Sequence, residues 1–492
     1  MNDSQILQPV EDVWRHHCAA LDEALDETIR ELQNLLRLDE YHRHGHEEEN
    51  LKDTLGPFAK SSLNLSSLSE VLDKSGSNRH IQEDRLARVK DLLERLAGIK
   101  ESCDADSLKL EVMDIGDDEK TIHVEAEAHL NKIANVFCNL RMAQLEIRSK
   151  YNPAIHDPIF ENFSWRLLSP AELALCPPFV IIAKLGSDFG DTLRKIMSLL
   201  ESRKPFKIVA LRASLKKAYS PTADPTVPAT MSVEMLPLAM RGVYFLQTCP
   251  AADAFRKKLF KALSSPRPTL ISLLAQKENE DQDALKIRAE HALQTRAFPT
   301  IIYDPDKDRG FVTCFDLSGN PEVEESVTFA DYAILESDYE EEFTDPPHDF
   351  SATNLVPIHK FLELVRHQRI GKLPTVRVSG SEDDPVVKVA SPAIVTQTSD
   401  QMHLWKTLQE IAGLDNPHVK STADTLRAEH GAQQKLLLES MQRDMEESQT
   451  HREQVAVASA VQRLVAQLTG VDSTEIDLQT LVAIEKQAKE TE

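Results

Sequence analysis

Apolar positions along the chain fall into three successive patterns. Residues 5 to 37 repeat at steps of three and four through Trp14, Cys18, Leu21, Leu25, Ile29, Leu32 and Leu36, the spacing of an amphipathic helix. Residues 82 to 98 and 121 to 149 repeat the helical period, with Gly98 closing the first and Tyr151-Asn152-Pro153 the second. The stretch between, with HRHGHEEEN and SSLNLSSLSE, reads as a polar link. The first 150 residues are therefore expected to form a helical N-terminal region.

From residue 177 the pattern changes. PPFVIIAKL (177–185), FKIVALR (206–212), GVYFLQT (242–248), PTLISLLA (268–275) and FPTIIYD (298–304) are short apolar runs separated by helical stretches at 190–202, 251–265 and 281–297. Strands alternating with helices of this length predict an α/β unit over 151–330, its parallel sheet covered by helices on both faces. FVTCFDL (311–317) reads as the partner of 300–304 in a hairpin. A mixed α/β extension follows over 331–413. It holds a solvent-facing acidic loop at ESDYEEEFTD (336–345), short strands at 373–398, and a helix over 400–413 capped by Asp400. Residues 414–492 read as a long helical or coiled-coil arm, polar except for a thin stripe through Leu426, Leu436, Leu437, Met441 and Met445.

Charge narrows the partners. A net charge of −24 disfavours nucleic acid and anionic membranes. The chain has no apolar run long enough to span a bilayer. The opening MNDSQILQPVEDVW lacks the basic-then-apolar order of a secretory leader, so the expected location is cytoplasmic. The six cysteines are scattered singly, which predicts buried thiols and no iron–sulfur cluster in this chain.

Candidate chemistry is sparse. His42, His44 and His46 beside Glu47, Glu48 and Glu49 have metal-ligand chemistry but lie in a polar link. Asp304, Asp306, Asp308 and Gly310 imitate the start of a calcium loop, yet position twelve is Phe315, so a hairpin turn is expected. Lys204, Lys207, Arg212, Lys216 and Lys217 are expected at one sheet end, as a solvated basic loop or an anion site. The chain carries no GxSxG, GxxxxGK[ST] or HExxH motif, and no catalytic residue is assigned.

HALQTRAFPTIIYDPDK (291–307), with Ala292, Phe298, Pro299, Tyr303, Asp304 and Pro305, and SSPRPTLISLLA (264–275) resemble segments of the thiamine-diphosphate domain of pyruvate (2-oxoacid):ferredoxin oxidoreductases. The resemblance implies a thiamine-diphosphate-binding-like fold. It also implies a diphosphate and Mg²⁺ site at the tips of the first two central strands. In that family a Gly-Asp-Gly motif and an Asn supply the metal site. Here Lys184, Leu185 and Gly186 stand at the first position, and Tyr219-Ser220-Pro221 near the second. The positions that match or could substitute are Gly186, Asp188 and Asp191, with Lys216 and Lys217 toward the diphosphate. The metal ligands stay unknown. The implied function is a divergent component of a 2-oxoacid:ferredoxin oxidoreductase-like system that does not catalyse alone. Its partners would be the other oxidoreductase subunits, or a second copy through the C-terminal helices. The alternative is a non-catalytic scaffold or assembly protein built on a degenerate version of that enzyme fold.

Overall fold

The computed structural model describes residues 3–62, 64–75, 80–105, 112–185, 189–216, 233–278, 280–322, 324, 326–348, 352–380 and 385–469. The chain divides into two compact units, Met1–Ala412 and Gly413–Glu492.

The first unit opens with the helix Asp3–His44, which packs with Glu83–Ala105 and Glu119–Ile147. The period noted above puts Leu21, Leu25 and Leu32 on one face, where they meet Leu92, Leu96, Ile133 and Phe137 in a buried cluster. Arg85 and Arg88 both bond Glu146, whose side chain is almost fully buried. The stretch expected as a polar link instead carries helices Glu48–Ser62 and Leu65–Ser75.

The main sheet has seven strands: β1 (Val112–Asp114), β2 (Val180–Lys184), β3 (Lys207–Arg212), β4 (Tyr244–Thr248), β5 (Thr269–Leu274), β6 (Ile301–Tyr303) and β7 (Phe315–Asp316), in the order β1-β2-β3-β5-β4-β6-β7. The five from β1 to β4 in that order run parallel. Their middle members are apolar on both faces, as strands covered by helices must be. β6 departs from the expected all-parallel sheet. It pairs antiparallel with β4 and then with β7, which confirms the hairpin with 311–317. No crossover helix separates the two hairpin strands, so the chain can only turn back. β1 adds a strand that a three-residue stretch, VMD, did not announce in the helical N-terminal region.

A smaller sheet follows, β8 (Phe343–Thr344), β9 (Leu355–Pro357), β10 (Leu373–Gly380) and β11 (Pro385–Ala390), in the order β8-β11-β10-β9. The helix expected at 400–413 begins earlier, at Pro392, and runs to Ile411. Ser391, not Asp400, is its N-cap, with the Ser391 side chain accepting from the Ile394 N–H and proline at the first turn. Phe329, Tyr332, Tyr339, Phe361, Val376 and Ile394 from this lobe share one buried cluster with Leu215, Leu274 and Phe298. The lobe is thus packed onto the carboxyl ends of β3 and β5.

In the second unit the described structure is one helix, Pro417–Thr469, of 53 residues. No helix among the described residues is long and apolar enough to cross a membrane.

Candidate functional site

In parallel α/β sheets, ligands bind beyond the carboxyl ends of the strands. β2 and β3 are parallel neighbours, aligned from Val180 opposite Lys207 to Lys184 opposite Leu211. Their tips lie side by side, with the Leu185 N–H donating to the Leu211 carbonyl at 2.9 Å. β5 continues the row, the Ala275 N–H reaching the Arg212 carbonyl at 2.9 Å.

Among the described residues, Arg212, Arg288, Lys277 and Lys216 stand at this edge, and each of these meets a carboxylate of the same chain. The buried Arg212 donates to Glu234 at 2.9 Å and lies over the Phe298 ring at 5.5 Å. Arg288 makes two bonds to Glu280, at 2.7 and 2.8 Å, and also donates to the Ala275 and Ala213 carbonyls, tying the ends of β5 and β3 together. Lys277 pairs with Glu336 and, at 3.1 Å, with Asp338. Lys216 donates to the Asp338 carbonyl at 2.9 Å and lies 3.4 Å from the Glu342 carboxylate.

The acidic stretch expected to face solvent is therefore docked. It forms a 3₁₀ turn, Ser337–Glu342, over the ends of β3 and β5. Tyr339 anchors it with a side chain that is 1% exposed. Gln397 reinforces the closure by donating to the Leu215 carbonyl at 2.7 Å. Burial alone would raise the Asp338 carboxyl, but bonds from Ser214 and Lys277 and the nearby Lys277 and Arg288 charges hold it below its ordinary value. Glu280 is held down in the same way, against burial, by Arg288 and the Lys277 N–H.

The candidate cofactor residues divide. Gly186, Asp188 and Lys217 lie outside the described residues. Asp191 sits in the first turn of the helix Phe189–Glu201, 3.0 Å from Arg194, both side chains largely in solvent. Lys216 is held by the acidic turn. The two described candidates, Asp191 and Lys216, thus belong to separate contacts. Asp191 is paired on an open helix face, and Lys216 is engaged by the Asp338 carbonyl and, more loosely, by the Glu342 carboxylate.

The basic cluster expected at one sheet end is split. Lys204 bonds Glu127 at 2.9 Å, and the fully buried Lys207 donates to the Ser265 and Arg267 carbonyls and the Thr269 hydroxyl, all at the amino end of β3. Five residue steps at strand rise separate Lys207 from Arg212 by about 17 Å.

His44 bonds Glu47 and His46 faces Asp73 at 3.5 Å. Asp304 pairs with Lys261 and Asp306 with Arg267, so these carboxylates serve separate contacts around the hairpin turn. No group of three or more His, Cys, Asp or Glu side chains suited to a metal occurs among the described residues.

Sequence reasoning missed Glu234, Glu280 and Arg288. The Glu280–Arg288 spacing of eight carried no signal, because Glu280 precedes the helix Gln282–Gln294 and bends back to meet it. No model of a known protein family matches the chain, and no curated protein matches it.

Proposed function

We propose that this chain is a non-catalytic assembly subunit, of 2-oxoacid:ferredoxin oxidoreductase-like ancestry, that joins to a second copy of itself through its C-terminal helix. The observation that carries this reading is the helix Pro417–Thr469. At 1.5 Å per residue it is about 80 Å long. It exposes two apolar groups, one over Leu436, Leu437, Met441 and Met445 and one over Val457, Val461, Leu464 and Leu468. The second group steps by four, three and four residues, the seam of a coiled coil.

Charge favours a like partner. The helix holds six basic and seven acidic residues in a chain of net charge −24, so it is nearly neutral where the rest of the chain is strongly acidic. Two copies meeting along it escape most of the repulsion that other faces impose. The absence of catalysis is supported by the carboxyl ends of β3 and β5, where five ion pairs stand among the described residues and Tyr339 docks the acidic turn.

Light scattering on the full chain and on a chain ending at residue 413 tests the proposal. A multiple of 55.3 kDa for the full chain, falling to a single copy on truncation, is expected. A full chain of single mass, or a truncated one of unchanged stoichiometry, overturns it.

A second reading is an oxidoreductase component that binds thiamine diphosphate and Mg²⁺ with help from other subunits. The adjacent parallel tips of β2 and β3 favour it. Calorimetric titration with both ligands checks it: saturable heat supports this reading, and none at millimolar ligand removes it.

A further inference from the structure

One opening of the first unit lies at the amino ends of β4 and β5. It is a cavity of about 620 Å³, within the span of about 300–1,000 Å³ usual for small-molecule sites. Its walls include Leu173, Leu200, Met240, Val243 and Pro268, and its rim carries Arg203, Glu201 and the Arg267–Asp306 pair.

The two rim arginines differ. Arg267 is clamped on Asp306 by three contacts of 2.5 to 3.1 Å and has no spare charge to offer. Arg203 is exposed and makes no ion pair among the described residues. Its backbone sits at φ +58°, just past the end of the helix Phe189–Glu201, with its N–H on the Leu200 carbonyl. Glycine is the ordinary residue at such a helix end, and a side chain there costs about 1 kcal/mol. Arg203 thus brings to an apolar trough a guanidinium with no ion pair among the described residues, on a backbone in a costly conformation.

The geometry points to a binding site for a single-chain carboxylate amphiphile, its tail in the trough and its carboxylate on Arg203. Apolar walls supply area-proportional affinity, while the guanidinium fixes the polar end with a two-pronged bond. Glu201 shares the rim and repels the same headgroup, so affinity is set by the balance of the two. Their opposite effects distinguish a seated carboxylate from grease on a surface.

Decanoate, below its micellar range, titrated into the full chain by calorimetry tests the site, with decanol as the uncharged probe. Expected are saturation at one decanoate per chain, about tenfold weaker binding for Arg203→Gln, and tighter binding for Glu201→Gln. Decanol binding should be the same in both variants. Ala239→Trp, a rim substitution on an exposed position, should block both probes while leaving the circular dichroism unchanged. Unsaturable uptake, equal decanoate affinity in Arg203→Gln, or unimpaired binding in a folded Ala239→Trp chain overturns the assignment. This result is independent of the C-terminal helix.

Discussion

The Lys277 ammonium lies 3.1 Å from the Asp338 carboxylate and also bonds Glu336, joining the loop after β5 to a turn sixty residues further along the chain. Both partners are mostly shielded from water, so removing the cation strips Glu336 of its ion pair and leaves Asp338 with only Ser214 and the Arg288 charge. Lys277→Ala is expected to cost roughly 1–3 kcal/mol, read as a lower urea midpoint at unchanged m-value. It should also speed proteolysis within 336–345. Loss of less than about 0.5 kcal/mol would place the clamp among surface pairs of little consequence.

Acid should loosen the same edge. Asp338 and Glu280 have carboxyls held below their ordinary values in the folded chain. The unfolded chain therefore binds more protons as pH falls through the carboxylate range. The stability these groups contribute is present above about pH 4 and is lost as pH drops through their folded values. Asp338→Asn should flatten the acid limb of a stability–pH profile; a parallel profile would show that Asp338 is not linked.

Lys207 behaves in the opposite range. Burial pushes its ammonium down to about 7, against an unfolded value near 10.4. Between these values the unfolded chain holds the extra proton, so stability should rise with pH from about 7 toward 10. Lys207→Met should abolish that rise. It should also lower stability at pH 9, because the Ser265 and Arg267 carbonyls lose their donor. A slope that survives the substitution would assign it to another group.

Leu464 lies within the four-three-four repeat of the long helix and is 60% exposed. Leu464→Lys should weaken self-association at least tenfold by sedimentation equilibrium without altering the single-copy fold, whereas Glu447→Lys, on the polar stretch between the two apolar groups, should change it little. Equal effects would detach association from the apolar seam.

How much of this was legible in the sequence depended on distance along the chain. FVIIAKL and FKIVALR announced β2 and β3 because a strand apolar on both faces needs no partner to be recognised. The direction of β6 was not legible, since an apolar run such as PTIIYD carries no sign of its orientation. The start of the last helix of the first unit was hidden by the polar run TQTSDQ. Thr396, Gln397, Thr398, Ser399, Asp400 and Gln401 are all buried, which breaks the apolar period that would have extended the helix back to Ser391. The acidic turn looked solvated because its cations, Lys216 and Lys277, are distant in sequence and meet it only after the sheet has formed.

The two borders of the main sheet have a consequence for association. β1 offers three residues and β7 two, while an invading strand needs a longer row of open backbone groups to bind and stay. Such short margins give it little to zip onto. Across the described edge residues, cross-β stacking through this sheet is discouraged by length alone.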